Sequence, residues 1–151
     1  MARTGIQPSI IYQDPKAAMV WLEEALGFEV AIYIEDESGA FGHCQMRLGE
    51  ALISVGNEWE EPYKSPLRVG GANTQITSLH IDTDVDAHCA RARAAGAVII
   101  KEPETQFYGD RSYRCIDPEG HHWSIAQSVE EVSREEAQAR VGTSMKITGW
   151  V

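Results

Sequence analysis

The chain has 151 residues, 43% of them hydrophobic, and its 23 acidic and 13 basic residues give a net charge of −10. This length predicts one domain with a substantial core, and the charge repels phosphates, which argues against a nucleic-acid partner. No apolar run approaches the roughly 20 residues of a membrane span, the N-terminus lacks a secretion signal, and three cysteines without a C-x-x-C pair suit the cytoplasm.

The first predicted module occupies residues 6–58. Its helix begins at Asp14, a good capping residue, with Pro15 in the first turn. Apolar residues recur at helical spacing up to Gly27, which predicts a left-handed cap at the end of the helix. Strands are expected at residues 7–12, 28–34, 41–48 and 51–55, with a hairpin turn at Gly49-Glu50.

The second predicted module, residues 76–129, repeats this pattern. Asp84 begins a helix rich in alanine that ends at Gly96, and Gly96 lies 69 residues after Gly27. Strands are expected at residues 78–82, 97–100, 111–116 and 121–127. Such an internal repeat indicates the fold more reliably than any single residue.

Two further segments complete the single predicted domain, residues 1–151. Residues 59–75 contain Trp59, two prolines and Gly70-Gly71, which is the composition of a linker that can also cover a site. The tail, residues 130–151, is expected to form a short helix and then an apolar end. We expect that end to dock on the body or on a partner subunit.

The doubled β-α-β-β-β pattern predicts an α+β fold. A single four-stranded module cannot protect both of its edges. Two modules side by side would instead form a curved mixed sheet with helices outside and a central groove. Such a groove is a natural site for a small molecule.

Five short motifs accompany this arrangement in order: Leu26-Gly27-Phe28, residues 84–88, residues 94–97, Tyr108-Gly109-Asp110-Arg111 and residues 117–123. Together with the doubled pattern they resemble the vicinal oxygen chelate superfamily, which is the glyoxalase / bleomycin resistance protein / extradiol dioxygenase group. The similarity covers roughly residues 6–128 and also implies a homodimer, which the apolar tail supports.

The resemblance implies four metal-ligand positions on the inward faces of the strands. Carried onto this sequence, they fall at Gln7, Ser54, Ser78 (or Thr77) and Ser124. Glutamine is an accepted ligand, but hydroxyl groups are poor ligands for divalent metals. We therefore expect no metal and no other cofactor.

Three histidines are candidates for the groove. His80 and His122 each lie two residues from a carried-over position, so they should share its face of the sheet. With Gln7 they could form a sparse metal site, they could be neutral hydrogen-bonding groups, or one could act as a general base. His43 lies on an inner strand and is a further candidate.

The rim of the groove offers other candidates. Tyr108 and Arg111 belong to one loop, where Arg111 could anchor an anionic group or could pair with Asp110 and fix the turn. Trp59 and Trp150 lie outside the regular elements. They could stack on a planar ligand or close a dimer interface.

The function expected from these features is the binding of a small ligand, cationic or planar, without a catalytic metal, as in bleomycin-resistance proteins. One alternative is a metal-dependent glyoxalase-like lyase or isomerase, or an extradiol dioxygenase. Another is a metal-independent enzyme that uses His80 or His122 as base. The predicted ligand-binding residues are Gln7, His43, Ser54, Trp59, Ser78, His80, Tyr108, Arg111, His122 and Ser124.

Overall fold

Two four-stranded mixed sheets form the framework of the computed structural model, which describes residues 4–151. In each sheet the first strand of the module pairs in parallel with the last, and the other pairings are antiparallel. The first sheet has the order β1-β4-β3-β2, with β1 Ser9–Tyr12, β2 Glu29–Glu35, β3 Phe41–Leu48 and β4 Ala51–Asn57. The second has the order β5-β8-β7-β6, with β5 Ile76–His80, β6 Val98–Thr105, β7 Asp110–Ile116 and β8 His122–Ser128.

Three helices accompany the sheets. The side chain of Asp14 accepts a hydrogen bond from the Ala17 amide at the start of α1, as predicted. The helix continues as a π-helical turn and ends at Gly27, whose φ is 82°. The helices are α1 Pro15–Trp21 with its π-helical extension Leu22–Leu26, α2 Val85–Ala94 and α3 Arg134–Val141.

The predicted α+β class and doubled module are confirmed, with differences at the element ends. β5 begins at Ile76 and stops at His80, and β6 extends to Thr105. That extension includes Pro103, which lacks the amide hydrogen that a strand needs. The register between β6 and β7 shifts between Lys101 and Glu104, so the irregularity falls where the proline interrupts the ladder. The segment 59–75 contains a 3-10 helix, Pro66–Val69.

Alternation along the strands gives each sheet two different faces. One face packs on the helices and forms the core, with Tyr12, Met46, Tyr113, Trp123 and Ile125 among its fully buried side chains. The opposite face, which we call the open face, carries smaller and more polar residues. On the first sheet it includes Ser9, His43, Gln45 and Ser54, and on the second Ser78, His80, Ser112 and Ser124.

The helices join the two modules. The guanidinium of Arg91 in α2 donates to the carbonyl oxygens of Glu23 and Glu24, both at 2.7 Å, at the end of the first helix. The indole of Trp21 donates to the Ala95 carbonyl at 2.9 Å. These bonds add side-chain donors to carbonyl groups in the last turns of the two helices, and so tie the helix ends together.

The turn between β7 and β8 extends from the second module into the first. Asp117 is buried there and accepts hydrogen bonds from the Tyr12 hydroxyl at 2.7 Å and the Trp123 indole at 3.3 Å. Burial and the neighbouring Asp117 carboxylate raise the pKa of Tyr12, so this phenol remains protonated.

Glu119 in the same turn binds the backbone that leads into α1. Its carboxylate accepts from the amides of Gln13 at 2.6 Å and Asp14 at 2.9 Å, and from the Ser65 hydroxyl at 2.6 Å. One side chain therefore ties together module two, module one and the linker.

Among residues 4–151 no helix is both long enough and apolar enough to cross a bilayer.

We expect Glu119→Gln to destabilise the protein by about 1–3 kcal/mol, because the new amide group presents a donor to buried donors. Glu102→Gln, at an exposed residue that pairs with Arg93, should change the free energy of unfolding by no more than about 0.5 kcal/mol. Urea unfolding of both variants measures the difference. Equal stabilities would contradict the linking role assigned to Glu119.

A second prediction concerns Gly109, where the β6–β7 loop meets the start of the tail. Its φ is +101°, and a Cβ there would lie 2.2 Å from the Glu130 carbonyl oxygen. Gly96 is the matched control, since its φ is +95° and nothing lies within 4 Å of the same position. Gly96→Ala should cost about 1 kcal/mol. Gly109→Ala should cost about 2 kcal/mol more in urea unfolding, because the added methyl group overpacks the backbone.

Candidate functional site

The four carried-over positions form two neighbouring pairs, one in each module. The Gln7 amide donates to the Ser54 hydroxyl at 2.7 Å. Ser78 and Ser124 are register partners in the parallel pair of β5 and β8. Gln7 lies just before β1 and not within it.

A cavity of about 630 Å³ lies at the seam between the modules and receives side chains from both. Gln7 and Ser78 line it, whereas Ser54 and Ser124 do not. Its apolar walls include Phe28 from module one and Trp123 from module two, whose ring centroids are 6.0 Å apart. Two of the four carried-over positions, Gln7 and Ser78, therefore meet at one cavity between the modules.

The donors at these positions do not fit a transition metal. An amide and hydroxyl groups are weak ligands compared with imidazole, carboxylate or thiolate. The Gln7 amide nitrogen donates to the Ser54 hydroxyl, so only the neutral amide oxygen of this side chain could act as a ligand. Across residues 4–151, no three His, Cys, Asp or Glu side chains are grouped so that they could hold a metal ion.

The two candidate histidines lie in different cavities. Nε2 of His80 is 3.0 Å from the Asp110 carboxylate, in a pocket that Tyr108 also lines. His122 lines a cavity of about 400 Å³ beneath the linker, beside His121. This arrangement does not support the expectation that His80 and His122 share one groove. The carboxylate partner of His80, Asp110, was not identified from the sequence.

The two charged residues predicted to lie in a loop, Asp110 and Arg111, begin strand β7 instead, and each has its own partner. Arg111 forms a bidentate pair with Asp86 in α2, with distances of 2.7 and 2.8 Å, and hydrogen bonding to this guanidinium lowers the pKa of Asp86. Asp110 pairs with His80 instead. The interpretation that Asp110 and Arg111 pair with each other is therefore wrong. The anchoring of an anion by Arg111 stays a prediction, and it requires the Asp86 pair to open.

Trp59 covers part of the open face of module one. Its ring stacks on Tyr63, with centroids 4.8 Å apart, and 56% of the residue is exposed. A Cβ at Gly56 would lie only 2.9 Å from the indole, so the glycine allows this close approach. His43 is exposed on the same face. Both residues are placed where a groove ligand could contact them, and their role stays a prediction.

His88 is a buried residue whose environment could not be read from the sequence. Its Nδ1 lies 2.7 Å from the Tyr113 hydroxyl, and its Nε2 lies 2.9 Å from the Leu26 carbonyl. A neutral ring with the proton on Nε2 donates to the carbonyl and accepts from the phenol. Burial lowers the pKa of His88. The hydrogen bond to the Leu26 carbonyl raises this pKa, and the positive charge of Arg91 lowers it further. This histidine therefore joins the two modules.

The sequence of the chain matches the Glyoxalase/Bleomycin resistance protein/Dioxygenase superfamily over residues 6–125. An uncharacterised protein of Mycobacterium bovis is 29% identical over 143 residues, which are 92% of this chain and 93% of that protein.

Solved structures share the fold. TioX from Micromonospora sp. ML1 has a TM-score of 0.66 and 27% identity, covering 83% of this chain and all of that one. TnmS3, an antibiotic binding protein from Streptomyces sp. CB03234, has a TM-score of 0.63 and 22% identity over 85% of this chain and 98% of its own.

The position of His88 predicts a loss of stability in acid. Because its folded-state pKa lies below the ordinary value of 6.5, the unfolded chain binds a proton more readily there. The neutral ring of His88 makes its full contribution to stability above pH 6.5. This contribution is lost as the pH falls from there through the lower folded-state pKa.

His88→Leu should be about 1–3 kcal/mol less stable at pH 7.5, because the Tyr113 hydroxyl and the Leu26 carbonyl lose their partner. It should also lose less stability than the wild type between pH 7.5 and pH 5. His43→Gln, which removes an exposed imidazole, is the matched control variant. Urea unfolding across this range is the measurement, and parallel curves for His88→Leu and the wild type would contradict the assignment.

Proposed function

The chain belongs to the Glyoxalase/Bleomycin resistance protein/Dioxygenase superfamily, and we propose that it binds an organic small molecule on its open sheet faces without a catalytic metal. The observation that carries this proposal is the pairing of Gln7 with Ser54 and of Ser78 with Ser124. These side chains offer hydrogen bonds to a polar ligand but no strong metal donor.

The character of the ligand follows from charge and from exposed rings. A net charge of −10 attracts cations over long range. Acidity also keeps many proteins dispersed, so charge alone does not define the ligand. Trp59 and Tyr63 add a stacked aromatic pair beside the open face of module one, and this pair suits a planar ligand. The likeness to TnmS3, an antibiotic binding protein, supports a binding role.

We also propose a homodimer. β2 and β6 are edge strands of their sheets, and both carry large apolar side chains that are 40–58% exposed: Val30, Ile32, Ile34, Val98 and Ile100. Apolar side chains clustered on an exposed edge favour association. A second copy would cover them and would add walls to the open faces.

The free, buried cysteines Cys44, Cys89 and Cys115 suit a reducing cytoplasm.

A metal-free enzyme is the second candidate, because His80 has the carboxylate partner Asp110 at 3.0 Å. A carboxylate that orients an imidazole is the arrangement of a general base. The ligand would then leave the protein chemically changed. The two candidates therefore differ in what is recovered after binding.

The test uses the full chain, purified without chelators. Metal analysis should find far less than one transition-metal ion per chain. Titration with metal-free bleomycin, a cationic drug, should change the tryptophan emission, and Ser54→Arg should weaken this response by filling the open face. Ala139→Arg, on the exposed side of α3, should bind as the wild type does.

Three outcomes would contradict the proposal. A stoichiometric transition metal would favour the metal-dependent alternative. An absent response at high micromolar drug would remove this ligand class. A change in the mass of the recovered drug that is abolished in His80→Ala would favour the metal-free enzyme.

A further inference from the structure

A pocket of about 820 Å³ lies where the C-terminal segment, residues 145–151, passes over one end of the second sheet. It is separate from the seam cavity, and the two share no lining residue. Strands β5 and β7 contribute His80 and Asp110, and the loop between β6 and β7 contributes Phe107 and Tyr108. The C-terminal segment supplies the opposite wall, including Trp150.

The C-terminal wall is fixed by hydrogen bonds. The Trp150 indole donates to the Val132 carbonyl at 2.9 Å. The side chain of Gln138 in α3 accepts from the Ile147 amide and donates to the Met145 carbonyl, both at 2.9 Å. The segment is therefore an ordered wall, and the expectation that the apolar tail docks on the body agrees with this contact.

The aromatic side chains of this pocket keep accessible surface. Tyr108 is 43% exposed and Trp150 is 39% exposed. Phe107 packs edge-on against Tyr108, with an interplanar angle of 89°, and so limits the movement of that ring. Exposed aromatic faces on a concave surface attract cations through their quadrupoles.

Three carboxylate side chains line the pocket, Asp110, Glu130 and Glu131, together with the imidazole of His80. Of the charged side chains that line it, Glu130 pairs with Arg140, and Asp110 pairs with His80. Glu131 also lines the pocket, and in the described part of the chain it has no hydrogen-bond or ion-pair partner. Within residues 4–151, no lysine or arginine lines these walls. Glu131 is exposed to solvent, so it is available to an incoming cation, and the neighbouring exposed rings favour the same charge.

We propose that this pocket binds the cationic end of an aromatic ligand, an organic ammonium, with the C-terminal segment as one of its walls. The inference rests on the proposed binding function and adds to it a ligand class and a second contact region. The aromatic part of the ligand would lie against Trp150 and Tyr108. The ammonium group would lie near Glu131.

The experiment is an NMR titration of the full chain with phenyltrimethylammonium, observing the tryptophan indole N–H signals. Trp59→Phe and Trp150→Phe assign the two signals of interest. We expect a saturable shift of the Trp150 signal. Benzenesulfonate, an aromatic anion, should leave it in place.

Two substitutions test the named contacts. Glu131→Gln should weaken the binding of phenyltrimethylammonium by about two- to fivefold, which corresponds to one charge contact at an exposed site. Glu102→Gln keeps the same change in net charge at a distant residue and should bind as the wild type does. Trp150→Leu should weaken binding by a similar factor. Because that change could also release the C-terminal segment, Glu131→Gln is the decisive variant.

The outcomes separate this inference from the proposed function. A shift of the Trp59 signal alone would overturn the C-terminal pocket and leave binding on the open face of module one. Equal binding of benzenesulfonate, or unchanged binding in Glu131→Gln, would overturn the cationic ligand class. No shift of the Trp150 signal at millimolar probe would also overturn the inference, while the bleomycin titration would still decide the proposed function.

Discussion

The rest of the structure depends on two carboxylates in the turn between β7 and β8. Asp117 and Glu119 accept hydrogen bonds from both modules and from the linker, in a region that excludes water. Buried carboxylates are costly unless they are fully hydrogen-bonded, so the partners hold each other in place. The relative position of the two sheets, and with it the seam cavity, follows from this contact. His88 and Arg91 reinforce the same junction from the helical side.

Local patterns allowed much of this fold to be predicted. Asp14 and Gly27 have local backbone roles, and they appear where their chemistry indicates. The strand ends were less accurate, because the shifted register around Pro103 depends on pairing with β7 and not on β6 alone. Alternation also identified the faces correctly, since Trp123 is buried in the core while Ser124 beside it is not.

The site was harder to predict because it depends on contacts distant in sequence. The family pattern gave the positions Gln7, Ser54, Ser78 and Ser124 but not their arrangement in two pairs. The partners of Arg111 and His80 did not, because Asp86 and Asp110 reach them only through the tertiary fold. His88 shares a helical face with the buried Val85, Cys89 and Ala92, but its hydrogen-bond partners lie far away in sequence and could not be read from the helix alone. The cavity that Glu131 and Trp150 help to line could not be predicted, because it depends on the path of the C-terminal segment.

The contact at Gly109 has a consequence for how this protein can diversify. Its carbonyl accepts the amides of both Val129 and Glu130, so the chain leaves the second sheet in a fixed direction before the C-terminal segment begins. Substitutions within the last seven residues therefore act on the shape of one wall, while the stability of the sheets is determined elsewhere. Related proteins could acquire new chemical preferences by mutation of this short stretch, without remaking the fold that carries it.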